Sequence, residues 1–107
     1  MMSPECATDN QSSDGADVER ILELRSELDR INIQLLELIE TRGRLVHEVM
    51  VIKRRLGRPA HDPSREHEML NALLARAVGV YPRASLVAIF RAIFVASRAL
   101  SNDERLR

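Results

Sequence analysis

Between Val18 and Leu56 the apolar residues recur in steps of three and four: Ile21, Leu24, Leu28, Ile31, Leu35, Leu38, then Leu45, Val49, Ile52 and Leu56. Such steps keep one stripe of a helix apolar along its length and predict a long helix that packs lengthwise on others. The rhythm calls for an apolar residue at position 42, and the chain has Arg42 there. Arg25 and Lys53 flank the same stripe. Cations on a helix's core-facing stripe raise the expectation of a bound anion.

The same pattern sets the other elements. Met1 to Ala16 is polar and aperiodic, which predicts a disordered tail ahead of a helical domain over 17–107. Asp17 is the expected N-cap of the first helix, and Gly57 with Pro59 its stop. Asp62 followed by Pro63 reads as the start of a second helix, with Met69, Leu70, Leu73, Leu74 and Ala77 as its apolar face and Gly79 as its end. Pro82 opens a third helix, whose inward stripe is Leu86, Ile89, Phe90, Ile93, Phe94, Ser97 and Ser101. No strand alternation occurs, so the expected fold is all-α, one long helix and two shorter ones. A straight helix of about 39 residues would run for roughly 60 Å. A compact domain of this size has a radius of gyration of only about 13 Å. Two short helices cannot cover such a rod, so an intertwined homodimer is expected, unless Gly43 breaks the helix.

Composition narrows the function classes. The 107 residues carry 16 basic and 16 acidic side chains, so the formal net charge is zero. No global field favours nucleic acid or an anionic membrane as partner. One Tyr and two Phe make too few aromatics for a base-stacking surface. The lone Cys6 cannot form an intrachain disulfide, which fits a reduced, cytoplasmic setting. Neither a signal-peptide pattern nor a membrane-spanning run is present in the sequence. His47, His61 and His67 lack paired spacing, so no metal site is expected. Nor is there a nucleophile–base pair or a glycine-rich phosphate loop.

The cations therefore carry the chemistry. Arg42 and Lys53 are eleven residues apart, which places them on one helix face about 16 Å apart along the axis. Two long side chains leaning inward can hold one small molecule. Arg25 lies about 25 Å further back along the rod, and reaches that site only from an antiparallel partner chain. Arginine offers a planar fork to a carboxylate, while lysine offers a point charge to a single oxygen. The set suits a small dicarboxylate that carries a further ether or hydroxyl oxygen. A plainer reading also stands: Arg42 as a seam residue that either snorkels or is ion-paired with a neighbouring glutamate, and that sets register. Asp62 has a plain reading as a helix cap, Arg65 and Glu66 as solvated helix surface, and Ser97 and Ser101 as small residues that let helices approach or as side chains that bond back to the preceding turn.

Taken together, Leu24-Arg25, Leu28-Asp29, Ile31, Leu35-Leu36, Leu38, Arg42, Val49, Lys53, Asp62-Pro63-Ser64-Arg65-Glu66 and the Ile93–Ser97 segment resemble the all-helical chorismate mutases of the AroQ type, over about residues 18–102. The resemblance implies an intertwined helical dimer that converts chorismate to prephenate by a Claisen rearrangement, without a cofactor, on the way to phenylalanine and tyrosine. It implies that Arg25 of the partner chain and Arg42 hold the substrate's two carboxylates. Lys53 would donate to a carboxylate and to the ether oxygen of the breaking bond. Glu66 and the backbone at Asp62 would bind the ring hydroxyl. Arg65 would hold the ring carboxylate or order the site, and Ser97 would contact a carboxylate. The family usually places Gln or Glu four residues after that serine, as a second donor to the ether oxygen; here Ser101 stands in that catalytic position beside Arg42 and Lys53. The shorter side chain leaves other members of the fold open: an aminodeoxychorismate mutase, an isochorismate-pyruvate lyase, an enzyme completed by a partner protein, or a non-catalytic helical dimer that binds an anion or a partner enzyme.

Overall fold

A computed structural model describes residues 4–102, with side chains described over 14–101. Three α-helices follow one another: α1 (Pro4–Arg55), α2 (Pro63–Ala75) and α3 (Arg83–Ala99), with a short 3₁₀ turn at Leu100–Asn102. No strand occurs among the described residues. The chain divides into two compact units, one ending at Leu38 and the other starting at Ile39.

The first unit is helical throughout its described length. Helix α1 begins at Pro4, well ahead of the expected cap at Asp17 and inside the stretch read as a disordered tail. Extending an existing helix by a residue costs far less than nucleating one, and proline is well placed in a first turn. Within the single chain the apolar stripe of this unit is uncovered. Leu28, Leu35 and Leu38 are 56%, 50% and 67% exposed.

The second unit holds the packed core. Gly43 does not interrupt α1. Its end is fixed by Gly57, which has φ +69°. There the Arg58 N–H donates to Lys53 O at 2.8 Å and the Gly57 N–H to Arg54 O at 3.2 Å. This pair of bonds is the Schellman arrangement, and the left-handed residue it needs is glycine. Lys53 thus projects from a turn whose carbonyls are satisfied. The next helix starts as expected: Asp62 Oδ1 accepts the Arg65 N–H at 3.1 Å, with Pro63 in the first helical position. It ends at Ala75, short of Gly79. Val78 and Val80, beyond the last buried leucine, are exposed and have no core to reach. Leu70 and Leu74 of α2 are buried with Phe94 of α3, and Met69, Leu86, Val87 and Phe90 pack around them. Met50 of α1 is also buried.

Candidate active site

Helices α1, α2 and α3 of the second unit line an open cavity of about 320 Å³ whose polar lining is Arg42, Lys53, Asp62, Arg65, Glu66, Ser97 and Arg98. Six of these seven are residues that the sequence singles out. The four cations outnumber the two carboxylates, so the lining has an excess of positive charge that suits an anion. A volume near 300 Å³ suits a small ligand.

Arg42 is held on two sides. Its Nη1 donates to Ser97 Oγ at 2.6 Å, and its guanidinium carbon lies 5.5 Å from the centroid of the Phe94 ring. Phe94 is buried, so the ring is a fixed platform, and a cation over it is favoured by the ring quadrupole. No carboxylate forms an ion pair with Arg42 among the described residues. The reading of Arg42 as a residue paired with a nearby glutamate therefore does not hold. Ser97 Oγ in turn donates to Ile93 O at 2.8 Å. Its proton is committed to the backbone and its lone pair to Arg42, so the hydroxyl fixes the direction of the guanidinium. The turn-bonding expected of a helical serine is present, and the same side chain lines the cavity.

Lys53 is held more loosely. Its Nζ reaches Ala60 O at 3.5 Å, and no carboxylate pairs with it among the described residues. Asp62 is a cap, as the plain reading has it, and it also lines the cavity. Arg65 supplies the N–H that Asp62 accepts, and the residue is part of the cavity lining.

Glu66 does not face solvent as a lone helix-surface charge. A single Arg98 nitrogen, Nη1, donates to Oε1 at 2.8 Å and Oε2 at 2.9 Å. His61 Nε2 is 3.7 Å from Oε2. Arg98 is the site residue that the sequence does not flag. It follows Ser97 by one residue, off the apolar stripe, where an arginine is ordinarily solvated.

Ser101 lies in the turn that follows α3. It does not line the cavity, and its hydroxyl donates to Arg98 O at 3.0 Å. The α-helix ends at Ala99, and the 3₁₀ turn that follows advances by about 120° per residue in place of 100°. Arg25 belongs to the first unit, where its side chain is exposed. No cluster that could hold a metal occurs among the described residues, and none of the described helices is long and apolar enough to cross a membrane.

The family model for chorismate mutase type II matches residues 24–102. The chain belongs to that family. Among characterised relatives, the bifunctional chorismate mutase/prephenate dehydratase of Aquifex aeolicus is 37% identical over 94 residues, covering 84% of this chain and 25% of the relative. The chorismate mutase of Methanocaldococcus jannaschii is 41% identical over 49 residues, covering 46% of this chain and 50% of the relative. This chain matches only a quarter to a half of the length of these two chorismate mutase relatives. In solved structures, form II of the chorismate mutase of Thermus thermophilus is 42% identical with a TM-score of 0.77, covering 79% of this chain and 97% of that one. Form I is 45% identical with a TM-score of 0.72, covering 73% and 98%. The all-α fold of three helices is thus the fold of the chorismate mutases.

Proposed function

We propose that this chorismate mutase domain converts chorismate to prephenate in a site that a second copy of the chain completes. The observation that carries the reading is the pair of carboxylate-free cations, Arg42 and Lys53, facing Glu66 across one cavity of about 320 Å³.

The reaction is a pericyclic rearrangement: a C–O bond breaks as a C–C bond forms, within one molecule and with no proton transferred. Acid–base residues and cofactors have nothing to supply. What lowers the barrier is a folded conformer with the reacting carbons close, and donors aimed at the ether oxygen, where negative charge grows. Arg42, steadied by Ser97 and Phe94, grips one carboxylate and fixes the fold of the side chain. Lys53 is free to turn from Ala60 O toward a carboxylate and the ether oxygen. Glu66 accepts from the ring hydroxyl. Since Ser101 is turned to the backbone, Lys53 is the principal donor to that oxygen. Arg65 and the backbone at Asp62 close the ring end.

Dimerisation is part of the proposal. Leu28, Ile31, Leu35 and Leu38 lie uncovered in a single chain, and contiguous apolar surface on this scale marks an interaction face. A second copy would cover the stripe and bring its Arg25 to the other carboxylate. The domain would act in aromatic amino acid biosynthesis in the cytoplasm, on its own or beside a partner enzyme. Titration calorimetry with a bicyclic dicarboxylate analogue of the transition state tests the reading. One analogue should bind per chain to the wild type and none to Arg42→Ala; a wild type that binds nothing would remove the enzyme reading.

A further inference from the structure

We infer that Arg98 sets the specificity of the site, favouring a ring that bears a neutral hydroxyl over one that bears an ammonium. The inference rests on the mutase reading and goes past it to a choice between substrates. An unpartnered Glu66 would welcome either group, since a carboxylate accepts from a hydroxyl and attracts an ammonium. Glu66 is not unpartnered. One nitrogen of Arg98 spans both its oxygens, at 2.8 and 2.9 Å. The pair is only partly open to solvent, with side-chain exposures of 24% for Glu66 and 37% for Arg98, so water screens it incompletely.

Two consequences follow from this geometry. A carboxylate has about four acceptor positions, and Arg98 uses two, so a hydroxyl still finds a lone pair on Glu66. The negative charge, however, is already balanced. An ammonium placed on the same oxygens would sit a few ångströms from the Arg98 guanidinium with no surplus negative charge to offset the repulsion. His61, 3.7 Å from Oε2, adds no negative charge either. Arg98 touches Glu66 and lines the same cavity, so it acts on substrate choice through the orientation and charge of Glu66.

The test is the ratio of kcat/KM for chorismate to that for its 4-amino-4-deoxy analogue, measured on the same preparation so that the folded fraction cancels. The wild type should favour chorismate by at least about tenfold. Arg98→Met and Arg98→Gln should each narrow that ratio about tenfold, chiefly through a lower KM for the amino substrate, and Arg98→Lys should keep it within about threefold of the wild type. A wild type that takes both substrates equally would overturn the inference, and that comparison stands even if a variant fails to fold. An unchanged ratio in Arg98→Met and Arg98→Gln would overturn it too, as would loss of discrimination in Arg98→Lys. A wild type that turns over the amino substrate but not chorismate would reverse the inference. A wild type inactive on both substrates would overturn the mutase reading, and this inference with it.

Discussion

Arg42 is a side chain in the wrong class for its place in the apolar rhythm, and it lines a cavity. Its position belongs to an apolar rhythm, and its surroundings are built to direct it: a hydroxyl at 2.6 Å on one side and the Phe94 ring on another. Removing such a preorganised donor usually costs about 3–4 kcal/mol of transition-state stabilisation. Arg42→Ala should therefore lower kcat/KM by about a hundredfold or more in a chorismate depletion assay. Its helical circular dichroism should stay near that of the wild type, because no carboxylate is left unpaired. Ser97→Ala removes the acceptor and leaves the guanidinium. A hydrogen bond to a charged group is worth about 1.5–3 kcal/mol, so kcat/KM should fall about 10- to 100-fold. A loss smaller than about threefold would mean that Phe94 alone directs Arg42. The residues that the sequence makes visible, Arg42, Lys53, Asp62 and Ser97, are those that violate a rhythm or sit at an element's edge. Arg98 violates nothing, since an arginine off the apolar stripe is ordinary, and only the fold brings it to Glu66 across 32 positions of chain.

At the scale of elements, the ends are harder to read than the middles. The three helices follow from apolar spacing, and the Asp62 cap and the Gly57 stop follow from local chemistry. The start of α1 at Pro4 does not, because helix propagation needs no cap to be visible. Neither does the change to a 3₁₀ turn at Leu100, within which the Ser101 hydroxyl bonds back to Arg98 O. The Gly57 turn has a functional consequence, for it fixes the last turn of α1, from which Lys53 projects. A left-handed residue with a Cβ costs about 1–2 kcal/mol. Gly57→Ala should lose about that much stability in urea unfolding, with a larger loss of kcat than a distant mutation of equal cost. Gly43 is the opposite case. A Cβ there would meet Leu100 at 3.6 Å, an ordinary contact. Gly43→Ala should gain about 1 kcal/mol from helix propensity. Destabilisation would mean that a second chain approaches the helix at that point.

For the whole molecule, the uncovered stripe and the placement of the cations lead to one assembly. Leu28, Leu35 and Leu38 are exposed in the single chain, and Arg25 is exposed in the same unit. In the proposed dimer, each site takes Arg25 from one chain and Lys53 from the other. Arg25→Ala and Lys53→Ala homodimers should each be nearly inactive. Mixed under conditions that exchange subunits, they should regain up to about a quarter of wild-type activity, since half the dimers are mixed and each mixed dimer has one intact site. Exchange without recovery would confine each site to one chain.

Beneath all of these stands the claim that the cations of α1 form a mutase site. The most direct measurement is incubation of the pure protein with chorismate, following its loss and identifying the product. Prephenate should form far above the uncatalysed rate, with no metal or cofactor added. Release of pyruvate, or chorismate left unchanged at high protein concentration, would contradict it.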